Sequence, residues 1–160
     1  MASLGVGKIE DIFAEKGLTG SNHASGNPAC IDAWMDYMKQ DFDGLCFTNL
    51  VDTDSAFGHR RDPEGFAGAL AYIDSRIPEI KSLMGDDDLL IITADHGCDP
   101  AYTATTDHTR EYVPLLIAGK KVKPVNLGTR TSFADIAATI TELLGVEYQT
   151  PGKSFAKEII

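Results

Sequence analysis

Apolar positions along this chain alternate between short continuous runs and longer stretches at helical spacing. Residues 29–40 carry Ile31, Trp34, Met35 and Met38 at helical spacing and predict a helix. Gly44 to Val51 is a short, mostly apolar run that suits a buried strand. From Pro63 to Met84, Phe66, Leu70, Ile73, Ile77 and Ile80 recur at steps of four, three, four and three, the mark of one buried helix face. Pro63 suits the first turn after Asp62 as N-cap, and Pro78 should kink or shorten the last turns. Leu89 to Thr93 predicts a second buried strand, too short and too β-branched for a helix, and Val113 to Ala118 a third. Residues 132–144 predict another strongly periodic helix, stopped by Gly145. Residues 17–28 are rich in turn formers and read as a loop, and Asp86-Asp87-Asp88 reads as a solvated turn.

Strands alternating with helices predict an α/β fold with a mainly parallel sheet flanked by helices. All 160 residues read as one such domain. In these sheets ligands bind at the carboxyl ends of the strands.

Composition narrows the partners. The net charge of −10 argues against nucleic acid, whose phosphates select basic surfaces. It suits a protein that gathers carboxylates around divalent metals. No apolar run approaches the ~20 residues of a membrane span, so no membrane partner is expected. Met1-Ala2-Ser3-Leu4-Gly5 lacks the basic and apolar regions of a secretion signal, and the first few residues read as a cloning remnant. Cys30, Cys46 and Cys98 make an odd count without CxxC spacing, which points away from a disulfide framework and towards the cytoplasm.

The chemistry concentrates where the predicted strands end. Asp52-Thr53-Asp54-Ser55-Ala56-Phe57-Gly58-His59 follows the first, and Ala94-Asp95-His96-Gly97 follows the second. Thr106-Asp107-His108-Thr109-Arg110 comes soon after. Imidazole and carboxylate together suit Zn²⁺, Mn²⁺ or Fe²⁺ better than Ca²⁺ or Mg²⁺, which prefer oxygen shells. Adjacent Asp95 and His96 would face opposite ways on a regular strand, but at a strand exit they can converge, with Gly97 allowing a sharp turn. Clusters of this kind suggest two metals about 3.5–4 Å apart, clamping the oxygens of an in-line phosphoryl displacement. His23, in its Gly/Ser/Asn loop, is not expected to be a ligand, and nothing marks Cys98 as one.

Three look-alikes fail. Asp52-Thr53-Asp54 opens like a calcium loop, but Phe57 and Pro63 stand where that loop needs glycine and an acid. Gly152-Lys153-Ser154 resembles the end of a phosphate-binding loop without its spacing or its strand. A haloacid-dehalogenase-type reading, with Asp52-Thr53-Asp54 supplying a nucleophile, leaves His59, His96 and His108 unexplained.

Five segments taken together resemble the phosphopentomutase family of the alkaline phosphatase superfamily. They are Val6–Phe13, Phe47–Asp52, Gly58–Asp62, Ile91–Pro100 and Asp107–Pro114, and the resemblance runs from about Val6 to the end of the chain. It implies an alkaline-phosphatase-like core that interconverts ribose 1-phosphate and ribose 5-phosphate, and the deoxyribose equivalents. It also implies two Mn²⁺ ions and a phosphorylated threonine. Asp54, His59 and His108 would hold one ion. Asp95 and His96 would hold the other, with a further aspartate from a preceding part. Asp54 is preferred to Asp52 because the family's ligand is the second acid of the pair, and Asp52 would support it by hydrogen bonding. Lys8 and Arg110 also match signature positions.

The segment Thr103–His108 is one residue longer than the family pattern. The family's first strand, its nucleophilic threonine and its sugar-binding cap find no match, so the core is expected to be incomplete. The chain alone is expected to be inactive, with no catalytic residue of its own, and prone to self-association through an exposed sheet edge. Alternatives are a metal-dependent phosphoglycerate mutase or phosphatase of the same superfamily, or a non-catalytic metal-binding module. The Gly-His-Arg-Arg and Asp-His-Thr-Arg-Glu segments favour the pentomutase.

Overall fold

Ala2–Val6, which the hydrophobic pattern leaves outside the fold, is the central strand of the main sheet. This strand, β1, pairs in parallel with β2 (Gly20–Asn22) on one side and β3 (Gly44–Thr48) on the other. Val6 aligns with Asn22 and with Thr48, and Ala2 with Gly44. The first residues are therefore part of the sheet, and the stretch 17–28 is not wholly loop. Ser3-Leu4-Gly5-Val6 and Gly20-Ser21-Asn22 are poor strand formers alone; two parallel ladders override their weak local preference.

A computed structural model describes all 160 residues, which form two compact units. The first comprises Met1–Met84 with Ile92–Leu116, and the second Gly85–Ile91 with Ile117–Ile160.

In the first unit a short helix, α1 (Ile9–Ile12), follows β1, and α2 (Asn27–Met38) connects β2 to β3. Buried Val6, Cys30 and Ala33 form a core against which Trp34, Tyr37, Cys46 and Leu50 pack. Burial pushes the Cys46 thiol up to about 11. After β3 the chain enters a seven-residue π-helical stretch, Asp52–Gly58. Such wide turns are rare and frequent at functional sites.

Helix α3 (Pro63–Leu83) then begins as expected, with Asp62 accepting from the Gly65 amide at 2.9 Å. Pro78 does not stop it, and the helix continues to Leu83. The expected buried face is only partly buried: Ile80 is fully enclosed, Phe66, Ile73 and Ile77 are half-buried, and Leu70 is exposed. Arg76 anchors α3 to α2 by donating to Asp32 at 2.9 Å.

Strands β4 (Leu90–Thr93) and β5 (Leu115–Ala118) pair with each other. The second unit holds α4 (Ala134–Leu143) and the one-turn α5 (Ala156–Ile159). Gly145 ends α4 as expected, at φ 64°, with its amide bonded to Glu142 and that of Val146 to Thr141. This is the paired-bond stop that favours glycine. The buried face of α4 centres on a polar pair, Asp135 and Thr139. Asp135 accepts from Arg130 Nε and from the Lys153 amide, each at 2.8 Å. Thr139 Oγ1 donates to the Asp135 carbonyl at 2.7 Å and accepts from the Phe155 amide at 3.0 Å. The amides of the Gly152-Lys153-Ser154 region thus serve internal packing. Asp86 and Asp87 pair with Lys120 and Lys121, and Asp88 closes the turn by accepting from the Gly85 amide.

The fold is α/β, with a parallel three-stranded sheet flanked by helices. No helix is long and apolar enough to cross a membrane.

Candidate metal centre

The exits of β3 and β4 and the loop that follows β4 bring Asp54, His59, His96 and His108 together within the first unit. Asp54 lies in the π-helical stretch, and His59 caps its end. The wide turn lets two residues five apart share one opening, since the His59 amide bonds back to the Asp54 carbonyl at 3.0 Å. His96 leaves the end of β4, and an antiparallel bridge between Gly97 and Thr109 folds the intervening loop back to deliver His108.

Three imidazole nitrogens surround a single carboxylate oxygen. Asp54 Oδ1 lies 3.3 Å from His59 Nε2, 3.6 Å from His108 Nε2 and 3.9 Å from His96 Nε2. The rings of His96 and His108 stack, with centroids 3.6 Å apart. Ligand atoms of Asp54, His59 and His108 all fall within 4.8 Å of one another.

Two of the three imidazoles turn Nδ1 outwards to a main-chain carbonyl. His59 Nδ1 lies 2.5 Å from the Thr106 carbonyl oxygen and His96 Nδ1 lies 3.1 Å from that of Gly97. A carbonyl only accepts, so these two contacts suit the tautomer with its proton on Nδ1, which leaves Nε2 as the atom facing the centre. Asp54 Oδ1 is buried and has no hydrogen-bond donor. A buried carboxylate oxygen without a donor is costly unless a cation meets it. Imidazole nitrogens gathered around an unpaired carboxylate oxygen make a donor set that fits a divalent transition metal, with His59 and His96 each oriented by a carbonyl behind the ring.

The remaining expected residues fall in different places. Asp95 is 83% exposed and approaches only His96, at 3.6 Å, so the structure brings four of the five expected ligands together and leaves Asp95 at the rim. Asp52 does not support the cluster by hydrogen bonding. Its Oδ2 accepts from the Asn27 amide at 2.8 Å, and its own amide donates to Asn27 Oδ1 at 3.1 Å. It therefore caps α2, and its carboxylate serves there as a structural acceptor, which weighs against a nucleophilic role. Gly97 is needed for proximity: it has no positive φ, but a Cβ there would lie 2.7 Å from both N and O of Glu111. His23 lies apart, with Nε2 2.6 Å from Asp11, whose hydrogen bond and charge raise its pKa. Burial pushes the Cys98 thiol up, and the negative charge of Asp54 adds to the effect. Lys8 precedes α1 and Arg110 is exposed.

Residues 7–148 match the Metalloenzyme superfamily. The chain belongs to that superfamily. Among its relatives it is 54% identical over 156 residues to a phosphopentomutase of Acetivibrio thermocellus. It is 53% identical over 157 residues to one of Clostridioides difficile and 50% identical over 151 residues to one of Vibrio cholerae. These matches cover 97%, 98% and 94% of the chain. The chain spans about 40% of the length of these curated relatives. The resemblance stated from the sequence motifs is thus borne out, and this member of the metalloenzyme superfamily carries a group of residues able to hold a metal.

Sequence reasoning assigned no role to Asn27 or to Arg61. Asn27 lies in a turn-rich stretch that conceals a helix start. Arg61 sits beside a ligand motif, but its partners are main-chain carbonyls, which carry no side-chain signature.

Proposed function

We propose that this chain is the metal-binding part of a phosphopentomutase, an enzyme interconverting ribose 1-phosphate and ribose 5-phosphate and their deoxyribose counterparts. The observation that carries the reading is the convergence of three imidazole nitrogens on Asp54 Oδ1, in a chain about half identical to phosphopentomutases. Asp54, His59 and His108 would hold one ion, and Asp95 and His96 a second. The mixture of imidazole and carboxylate favours Mn²⁺ over Mg²⁺. Such ions, when bound, stabilise the negative charge that develops on a transferring phosphoryl group. The chain's own contribution is orientation: carbonyls of Thr106 and Gly97 fix two imidazoles with Nε2 inward. The nucleophilic threonine and the sugar-binding cap belong to other segments of the complete enzyme, so these 160 residues form a C-terminal part of the core and are inactive alone.

Three free thiols fit the reducing cytoplasm. β2 and β3 each leave one edge of the three-stranded sheet without a partner strand, which supports self-association of the chain. Sedimentation equilibrium that finds only monomer would remove that last point.

Calorimetric titration with Mn²⁺, comparing the chain with a His59→Ala, His108→Ala double variant, tests the reading. Saturable binding abolished in the variant supports it. Equal binding by both proteins, or turnover of ribose 5-phosphate by the isolated chain, contradicts it.

A further inference from the structure

Arg61 lies two residues beyond His59, and its guanidinium touches four main-chain carbonyls. Nε donates to Thr105 O at 2.7 Å, and Nη1 to Gly58 O at 3.2 Å and Asp99 O at 3.0 Å. Nη2 donates to Asp107 O. Between Thr105 and Asp107, the Thr106 carbonyl is taken by His59 Nδ1. Three successive carbonyls immediately before His108 are thus held alternately by Arg61, His59 and Arg61. Both ends of the loop, at Asp99 and at Asp107, meet the same planar fork. Lysine, a single point charge, cannot reproduce that geometry. Arg61 also occupies a left-handed backbone conformation, φ 54°, which is costly for a residue with a Cβ. Strain of this kind persists where surrounding contacts impose it.

We infer that Arg61 is a positioning residue that docks the His108 loop onto the turn bearing His59, and so sets the affinity of the metal centre. It contacts no proposed ligand atom and acts through the main chain. Its neighbour Arg60 makes no comparable set of bonds. The link to affinity rests on the metal reading above; the docking does not.

Arg61→Gly is the informative variant, because glycine adopts the left-handed backbone freely and only the fork is lost. Hydrogen exchange on the metal-free chain reads the docking directly. The amides of Tyr102, Asp107, His108 and Thr109, all bonded within the loop, should exchange about tenfold faster or more, with α2, α3 and β1 unchanged. Mn²⁺ affinity, measured by calorimetry, should fall about 10- to 100-fold, the usual effect of removing a residue that orients ligands. Arg61→Lys should recover little of either and serves as the second variant if Arg61→Gly proves unstable. Unchanged loop exchange in both variants overturns the inference. Faster exchange with unchanged Mn²⁺ affinity overturns its link to the metal. If the parent chain binds no Mn²⁺, the metal reading fails, and the exchange result still decides the docking.

Discussion

Asn27 and Asp52 bind each other twice, each backbone amide donating to the other's side chain. The first amide of α2 is thereby capped from the far side of β3. The two acids of Asp52-Thr53-Asp54 therefore have separate tasks. Asp52→Ala should destabilise the chain by about 1–3 kcal/mol, since it strands the buried Asn27 amide. Asp54→Ala should abolish Mn²⁺ binding with little loss of stability, because its Oδ1 has no donor to lose. Thermal melts and calorimetry on both variants separate these effects. A large fall in melting temperature for Asp54→Ala would contradict the assignment.

The unequal placement of Asp95 and His59 yields a second expectation. Asp95→Ala should leave the tighter Mn²⁺ event intact, because its exposed carboxylate approaches only His96. His59→Ala should weaken that event by at least the ~10–100-fold that loss of an outer-shell partner costs. For the parent chain, Mn²⁺ at 100 times its dissociation constant should stabilise the fold by about 2.7 kcal/mol through mass action, and a chelator should reverse this. Stoichiometry from calorimetry and a melting curve with and without Mn²⁺ check all three points.

Gly97 offers a steric test. A methyl group there would press on the Glu111 backbone, so Gly97→Ala should open the bridge to Thr109. The expected cost is about 1–3 kcal/mol, with a parallel loss of Mn²⁺ affinity as His96 and His108 separate. A crystal structure of the variant with the bridge intact would refute this.

The second unit carries a pH dependence. The Lys153 amide first, and then the Arg130 guanidinium, hold the Asp135 carboxyl below the usual carboxylate range. A depressed folded pKa adds stability that is complete above the unfolded value, about 3.9, and is lost as pH falls through the folded one. Melting temperature should therefore drop below about pH 4, and the Asp135→Asn variant should show a flatter acid limb. Calorimetric melts across that range provide the check. Equal slopes for both proteins would count against Asp135.

The elements legible in the sequence were those with strong local patterns: α3 with its Asp62 cap, α4 with its glycine stop, and the apolar runs that became β3, β4 and β5. β1 and β2 were not legible, because glycine and serine hide a strand whose stability comes from its neighbours. In the metal centre, Asp54, His59, His96 and His108 could be picked out because carboxylate and imidazole announce their chemistry. The Asn27–Asp52 exchange and the Arg61 fork could not. Both join segments far apart in the chain, and the fork's partners are backbone atoms present at every residue. The burial of Asp135 and Thr139 was hidden for a related reason: a polar pair satisfied internally looks in sequence like a solvated face.

The central position of β1 also makes the sheet depend on a contact remote in sequence. Its second ladder can form only once Gly44–Thr48 is in reach, because Ala2 pairs with Gly44 and Val6 with Thr48. Closing a loop of that length before its contacts are rewarded is slow. A chain cut before residue 44 would therefore display β1 with one flank bare, open to whatever strand or chaperone reaches it first.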